Sequence, residues 1–456
     1  MTEERATRRL VIALIVGGIM PVVDTTIVAI GLHRIGEDLG ADVATLQWVS
    51  TVYLLALAVV IPVAGWVQAR LGDRNAWILA SGIFLAASVL CAAASGIGEL
   101  IAFRALQGAG AGLLLPLMQT LPMQRTPRAA MARTMAVMSV PISLGPVIGP
   151  VLGGLVLSTL DWRWLFLINL PLGAVGLVLA VLWLPGGRSG ARTTLDAIGL
   201  LLLAPGLVGV LLALSNLAGG TGAGEVAVWL PAVVGLVLLV AFVPWTLGRR
   251  DPLVDLRLLG VRTLRASTVA MAFLGANLYA ATFLLPLALQ ADRGVSVLEA
   301  ALLLIPQGVG SLLARAGAGR LVARWGPRAV AISGFALVAV MTVPFALDDG
   351  TLALAVWAVV LFVRGLGLGV VLVPIMASGY LDVAPDRMPH ASAFSRMAQQ
   401  LGGAFGTATA ALVLAAVTTA SGTRVGFDAA FVVVIGICAA AMAASLALPG
   451  RRGVVR

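Results

Sequence analysis

The sequence predicts an all-α, polytopic membrane fold: two pseudo-symmetric six-helix bundles with two helices inserted between them, fourteen transmembrane helices in total. Three observations predict it. The 456 residues are 60% hydrophobic and 11% charged, against about 25% charged in water-soluble domains. Apolar runs of about twenty residues, each long enough to cross a ~30 Å hydrocarbon core as a helix, recur from Leu10 to Leu448 with short breaks. Finally, GWVQARLGDR (65–74) returns as GRLVARWGPR (319–328). Gly65, Ala69, Arg70, Gly72 and Arg74 are matched by Gly319, Ala323, Arg324, Gly326 and Arg328 at an offset of 254 residues.

In chain order the predicted spans are 9–32, 45–67, 75–95, 99–121, 134–158, 163–184, 196–217, 226–246, 264–290, 297–318, 329–347, 351–378, 391–419 and 428–449. Gly and Pro interrupt many of them, which membrane helices tolerate because neighbours satisfy the freed backbone groups. The first run carries Asp24 and lacks a small-residue cleavage site, so it is expected to be a retained span and not a secretory signal. No room is left for a soluble domain.

The net charge of +10 raises the question of nucleic acid, and the placement of the charges answers it. All thirty basic residues are Arg. With the N-terminus inside, twenty-two fall in cytoplasmic segments and four (Arg34, Arg163, Arg293, Arg424) in the opposite loops. This positive-inside bias predicts cytoplasmic termini, with the lipid bilayer as partner and no nucleic acid. Cys91 and Cys438 lie far apart inside apolar runs, with no metal or disulfide pattern, and are expected to serve packing.

Both copies of the repeated stretch fall in cytoplasmic loops, after spans 2 and 10. Six spans of about 32 residues would separate them by about 190, so the offset of 254 leaves an excess near 60, worth two more spans. Spans 7 and 8 are that insert. Two further correspondences keep nearly the same offset: Phe103-Arg104 with Val363-Arg364, and LGPVIGP (144–150) with LGGAFGT (401–407). The expected organisation is therefore a first six-helix bundle (1–184), a linker with the two extra helices (185–262) and a second bundle (263–456). Parallel halves with a binding site between them near the midplane suit a rocking, alternating-access carrier.

Asp24 is the lone acid deep in a span; the other nineteen carboxylates fall in loops or near helix ends. A carboxylate facing a cavity near an Arg is a candidate proton site, the alternative being a structural hydrogen bond to a neighbouring helix. Arg104, about five residues into span 4, is the matching cation, followed by Gln107 and by Gly108, Gly110 and Gly112. Snorkelling to the surface is its alternative role, and the expected one for Arg364 and Arg396. In SLGPVIGPVLGG (143–154), Gly145, Gly149 and Gly153 share one helix face, with Pro146 and Pro150 breaking backbone bonds, a pattern for close helix packing.

With these motifs in view, the chain resembles the major facilitator superfamily, and within it the fourteen-helix drug:proton antiporters of the EmrB/QacA type. PVVDTTIVAIGL in span 1, QWVSTVYLL (47–55), FRALQGAGAG (103–112), the Gly-Pro repeats of span 5, DWRWLFLINLPLG and DPLVDLRLL carry the resemblance over nearly the whole length. It implies that Asp24 and Arg104 couple transport to protons. It further implies that Gly65, Arg70, Gly72, Arg74, Gly145, Pro146, Gly149, Pro150, Gly319, Arg324, Gly326 and Arg328 serve gating, in the plasma membrane of a bacterium. One departure stands out: the superfamily usually has an Asp just before the first Arg of the loop after span 2, and here that place is Ala69, with Ala323 in the repeat and Asp73 as a possible substitute.

By analogy with the fold, the central cavity draws on Tyr53, Gln107, Met118, Asn277, Tyr279 and Phe283. A mainly apolar, Met- and aromatic-lined pocket suits small hydrophobic or amphipathic compounds of several shapes. The function expected is multidrug efflux, and with it antibiotic resistance; export of one lipid, siderophore or secondary metabolite is the alternative. One charge crossing ~100 mV gains roughly 2.3 kcal/mol, about a fiftyfold gradient. With a single coupling acid, neutral or monocationic substrates are expected ahead of dications. Only His33 and His390 exist, both in or beside loops, so neither a metalloenzyme nor any other enzyme is expected, and no cofactor beyond the coupling proton. A monomer is expected, while the need for a periplasmic adaptor stays open.

Overall fold

The computed structural model describes residues 3–125, 138, 145, 148–184, 186, 194–218, 222, 224–249, 252–347, 353–384 and 387–451. Among these residues the secondary structure is entirely helical, and thirteen helices are long and apolar enough to cross a membrane. Beside them stands a shorter apolar helix, Ile148–Thr159, at the end of the predicted fifth span; most of that span, Pro146 included, lies outside the described residues.

In the first part of the chain, α1 (Glu3–Gly18) and α2 (Met20–Leu39) form one long span broken at Ile19, because Pro21 has no N–H to continue the helical ladder. The helix runs past the predicted end at 32. Hydropathy marks the apolar stretch only, whereas His33 and Arg34 pair with Glu37 at helical spacing and carry the helix on. Gly40 then stops it at φ +61°, a left-handed conformation open to glycine, with its N–H on the Gly36 carbonyl. Next come α3 (Val43–Leu46), α4 (Trp48–Val60), α5 (Val63–Leu71), α6 (Asp73–Ala93) and α7 (Ile97–Arg125), then α8 (Ile148–Thr159), α9 (Trp164–Leu167) and α10 (Asn169–Trp183).

The inserted pair is α11 (Ala197–Ala218) and α12 (Val226–Gly248). The second part holds α13 (Arg262–Leu287), a π-helical turn at 288–292, α14 (Val297–Trp325), α15 (Pro327–Leu347), α16 (Leu354–Gly379), α17 (Met388–Ser421) and α18 (Thr423–Ser445). A capping box starts α14: Ser296 and Glu299 each accept from the other's backbone N–H.

The packing repeats. In the first part α7 lies against α4 and α6, and α10 against α1 and α6; in the second α16 lies against α14 and α15, and α18 against α13 and α15. The two parts meet where α4 packs on α17, and where α2 packs on α13 and α14. At the Leu39 end a single apolar cluster joins Ile27 and Ile30 to Leu284, Ala300 and Ala301, and Gln290 donates to the Ile30 carbonyl at 3.1 Å.

Of the inserted helices, α11 touches α3, α4 and α17, with Trp48 donating to Ser215 at 2.6 Å, while α12 packs mainly on α11. A Cβ on Gly209 would stand 2.6 Å from the Pro231 carbonyl, so the two helices approach through glycine. The outer face of α12 carries Leu236 (60% exposed) and Val240 (62%), an apolar surface suited to hydrocarbon.

Asp196 organises the start of this pair. It accepts from the Gly199 N–H (3.0 Å), the Trp245 indole (2.9 Å) and the Leu253 N–H (3.1 Å), with Arg249 at 3.6 Å. Burial pushes its carboxyl upward, yet the Trp245, Gly199 and Leu253 bonds and the Arg249 charge outweigh that, and the net direction is below the usual carboxylate value. A lowered folded-state value means that the stabilisation is complete above the unfolded value near ~3.9 and is lost as pH falls through the folded one. Asp196→Ala is therefore expected to cost about 2 kcal/mol. The loss should be constant from neutral pH down to about 5 and shrink below about 4, measured as thermal unfolding in detergent.

Candidate functional site

Asp24 sits one turn beyond the break at Pro21 and is fully buried. Its Oδ2 accepts from Arg104 Nη1 at 2.5 Å, and its Oδ1 from Gln107 Nε2 at 3.0 Å and Asn169 Nδ2 at 3.1 Å. Arg104 also donates from Nε to the Val49 carbonyl (3.0 Å) and from Nη1 to Gln107 Oε1 (2.6 Å), and its guanidinium lies 4.1 Å over the Tyr53 ring. Tyr53 in turn donates to the Pro21 carbonyl at 3.2 Å, and Ser88 accepts from Gln107 at 2.8 Å. The glycines after Arg104 make this possible: a Cβ on Gly108 would collide with the Tyr53 carbonyl, and one on Gly112 would stand 2.6 Å from the Leu57 carbonyl. Without side chains there, α7 carries Arg104 into contact with α4 and reaches α2.

This is a buried ion pair, not a snorkelling arginine: Arg104 is 1% exposed. Attraction between such charges is strong at low dielectric but is spent largely on desolvation, so the pair holds its geometry more than it stabilises the fold. Asn169 and Ser88 were not anticipated as members. Asn169 is the sole amide of its span, a signal that was available; Ser88 shows none in sequence, since a lone Ser in an apolar helix usually bonds its own backbone, as this one also does to Phe84 at 2.9 Å.

Arg364 corrects the snorkelling expectation in the second part. It is 1% exposed and donates to Thr342 (3.2 Å), Gln307 (2.8 Å) and Asn277 (3.1 Å). By offset, Asn277 stands where Asp24 would (253 residues), Gln307 where Tyr53 would (254), Thr342 where Ser88 would (254) and Arg364 where Arg104 would (260). The constellation recurs with neutral oxygens replacing the carboxylate. Arg396 is half-buried, and its Nε is shielded with no hydrogen-bond partner. The two cysteines also do more than fill space, since Cys91 lies 3.8 Å from Gln107 Oε1 and Cys438 accepts from Asn277 at 2.9 Å.

Between the two parts lies a narrow cavity lined by Thr25, Ala29, Ser50, Tyr53, Leu54, Arg104, Tyr279, Thr282, Phe283 and Thr407. Tyr53, Tyr279 and Phe283 line it as expected from the sequence. Three expected residues do not. Gln107 is turned inward onto Asp24, Asn277 onto Arg364, and Met118 packs against Gly18. Gln107 and Asn277 turn inward because buried polar groups go where partners are, and Met118 fills the space that Gly18 leaves. Asp24 also does not line the cavity; Arg104 and Tyr53 stand between them. The missed Ser50 and Leu54 share a helix face with Tyr53, and Thr282 lies one turn from Tyr279.

The repeated loop stretch has a geometric explanation. Gly72 (φ +78°) and Gly326 (φ +83°) close α5 and α14 alike, their N–H groups bonding Gln68 O and Val322 O, each at 2.8 Å. Arg70 and Arg324 are exposed, as are Gly65 and Gly319, with open space about both glycines. Asp73 accepts from Gln68 at 3.0 Å across the turn. Arg74 lies near Gly186, and Arg328 donates to the Leu448 carbonyl at 2.8 Å, tying its loop to the end of the last helix.

Gly145, Gly149 and Gly153 face Val22, Thr26 and Ile30 on α2, four residues apart on both sides, with Pro150 buried beside them. In the second part Gly402 and Gly406 face Ala272 and Ala276 on α13 in the same manner. Gly154, next in line, faces Ala301 and Leu298 across the boundary between the parts.

Comparison with known proteins agrees with this geometry. A model of the Major Facilitator Superfamily matches residues 12–407. A multidrug resistance protein B homolog of Mycobacterium tuberculosis is 35% identical over 403 residues, covering 88% of this chain and 75% of that one. A putative multidrug resistance protein, MdtD of Yersinia pestis, is 31% identical over 405 residues, covering 87% and 85%. Among solved structures, the nucleoside transporter NupG superposes with a TM-score of 0.70 at 13% identity over 97% of this chain and 99% of that one. A D-xylose-proton symporter gives 0.69 at 15% identity over 98% of each.

Proposed function

Since the chain belongs to the Major Facilitator Superfamily and is a multidrug-type, multi-pass membrane transporter, we propose that it exports amphipathic neutral or monocationic compounds in exchange for protons. One observation carries the proposal: a buried carboxylate, Asp24, is paired with an arginine whose other face lines the central cavity through Tyr53. A proton arriving on Asp24 removes the charge that holds Arg104 in place. The guanidinium, sandwiched between that carboxylate and the cavity wall, then shifts its charge toward the cavity and disfavours a bound cation. Loss of the proton restores the pair. Asp24 and Arg104 are thus the coupling residues, Tyr53, Tyr279 and Phe283 the aromatic contacts for substrate, and the close-packed α2–α8 and α13–α17 seams the surfaces that move.

The relatives named for multidrug resistance support the substrate class, and the inserted helices α11 and α12 support placement in the fourteen-helix EmrB/QacA branch. In this reading residues 1–184 and 263–456 are the rocking bundles, with 185–262 as a linker against lipid. Both termini face the cytoplasm of a bacterium, as the arginine bias favours. The protein acts as a monomer and binds no nucleic acid. Export of one lipid, siderophore or secondary metabolite uses the same machinery and is the alternative reading.

The test is efflux of a panel of dyes and antibiotics from vesicles holding the purified protein and an imposed pH gradient. Export of several unrelated monocations, stopped when a protonophore collapses the gradient, is expected. Unchanged accumulation after collapse would overturn antiport, and export of a single compound class would favour the narrower exporter.

A further inference from the structure

A second, narrow pocket lies at the Leu39 end of the molecule within the second bundle. The end of α13 with its π-turn, the end of α15, the start of α16 and the start of α18 enclose it. Phe345, Trp357, Phe427 and Phe431 form one wall, and Asp292 and Asp428 carry carboxylates to it. The ring centroids of Phe345 and Trp357 are 4.1 Å apart and those of Phe345 and Phe431 5.3 Å, a continuous aromatic surface.

Two observations point to a ligand. The Arg293 guanidinium rests 4.8 Å over the Trp357 ring, so the site already holds a planar organic cation supplied by the chain itself. Trp357 is 98% buried by its 2% exposure, and its indole N–H has no hydrogen-bond partner, leaving a donor for an acceptor atom on an incoming molecule. Aromatic faces with nearby carboxylates recognise organic cations, and Arg293 stands in for one.

We propose that this pocket is a second binding site for organic cations, which enter by displacing Arg293 from Trp357. Leu285 lines it two residues from Phe283 of the central cavity, so α13 runs between the two sites. The cation can be a soluble amphipath or the choline group of a lipid; both have the required charge and an apolar rim. The proposal stands apart from proton coupling, because binding is measured with no gradient.

The experiment is equilibrium binding of ethidium, a planar monocation, to the full chain in nanodiscs of phosphatidylglycerol. Two classes of site are expected. Trp357→Leu and Asp428→Asn should each weaken one class about tenfold, Trp357→Phe should retain most of it and so control for folding, and Arg293→Ala should tighten it several-fold. Binding unchanged in all four variants, or weakened by Arg293→Ala, overturns the proposal. Competition by added phosphatidylcholine assigns the site to lipid choline, and its absence to soluble cations; either result upholds a cation site.

Discussion

Asp24→Asn is expected to abolish gradient-driven export while leaving a folded but weakened protein. The amide can still accept from Gln107 and Asn169 at the present distances, so the local shape survives. What is lost is the charge opposite Arg104, and an arginine left buried without its carboxylate costs about 3–5 kcal/mol. Arg104→Leu removes the other partner and leaves Asp24 held by two amides alone, with a similar cost. The double replacement removes both charges. It should recover most of the stability of either single variant, because a neutral, well-filled site avoids the desolvation that the pair had to offset. Export should remain absent in all three. Thermal unfolding in detergent and proton-linked dye efflux measure the two halves of this prediction separately. Gradient-dependent efflux by Asp24→Asn, or a double variant no more stable than the worse single, would show that the pair does not act as a unit.

Asn277→Asp should have the next largest effect, and in the opposite direction. Arg364 is a buried cation whose partners Asn277, Gln307 and Thr342 are all neutral, and among the described residues no carboxylate reaches it. The Arg364–Asn277 bond already has an ionised donor, so a carboxylate there adds direct charge attraction, part of which its own desolvation offsets. Converting the Asn277 contact at 3.1 Å to a carboxylate strengthens that bond, while the amide's donation to Cys438 (2.9 Å) has to be replaced by donation from the Cys438 thiol. A rise of a few degrees in the unfolding temperature is expected. The variant would also carry a titratable pair in each bundle, so protons exchanged per substrate should rise toward two and dicationic dyes should become substrates. A lower unfolding temperature, or an unchanged proton count, would mean that Arg364 is adequately balanced by dipoles and that the second bundle has no latent coupling site.

The natural asymmetry between the bundles then has a physical reading. Two arginines occupy equivalent places, and only one faces a carboxylate. The cluster around Arg364 is neutral, while the Asp24 cluster holds the carboxylate to which the proposed exchange assigns the proton.

Much of this was open to reading in the chain itself. A composition of 60% hydrophobic and 11% charged residues leaves no choice but a membrane, and apolar length alone locates most of the spans, since a helix must satisfy its backbone within hydrocarbon. The doubled loop stretch, with its positive-φ glycines Gly72 and Gly326, reported two equivalent halves because only glycine closes that turn without strain. The rarity of Asp24 and the glycines beyond Arg104 marked the pair before any geometry was known. Which way each inner side chain turns is different. Gln107, Asn277 and Met118 share helices with cavity residues, and their placement away from the cavity follows from partners on other helices, contributed by residues tens to hundreds of positions away. Arg364 looked free to reach the surface until Thr342 and Gln307 were brought against it. Helix periodicity says which residues share a face, and only tertiary packing says what that face meets.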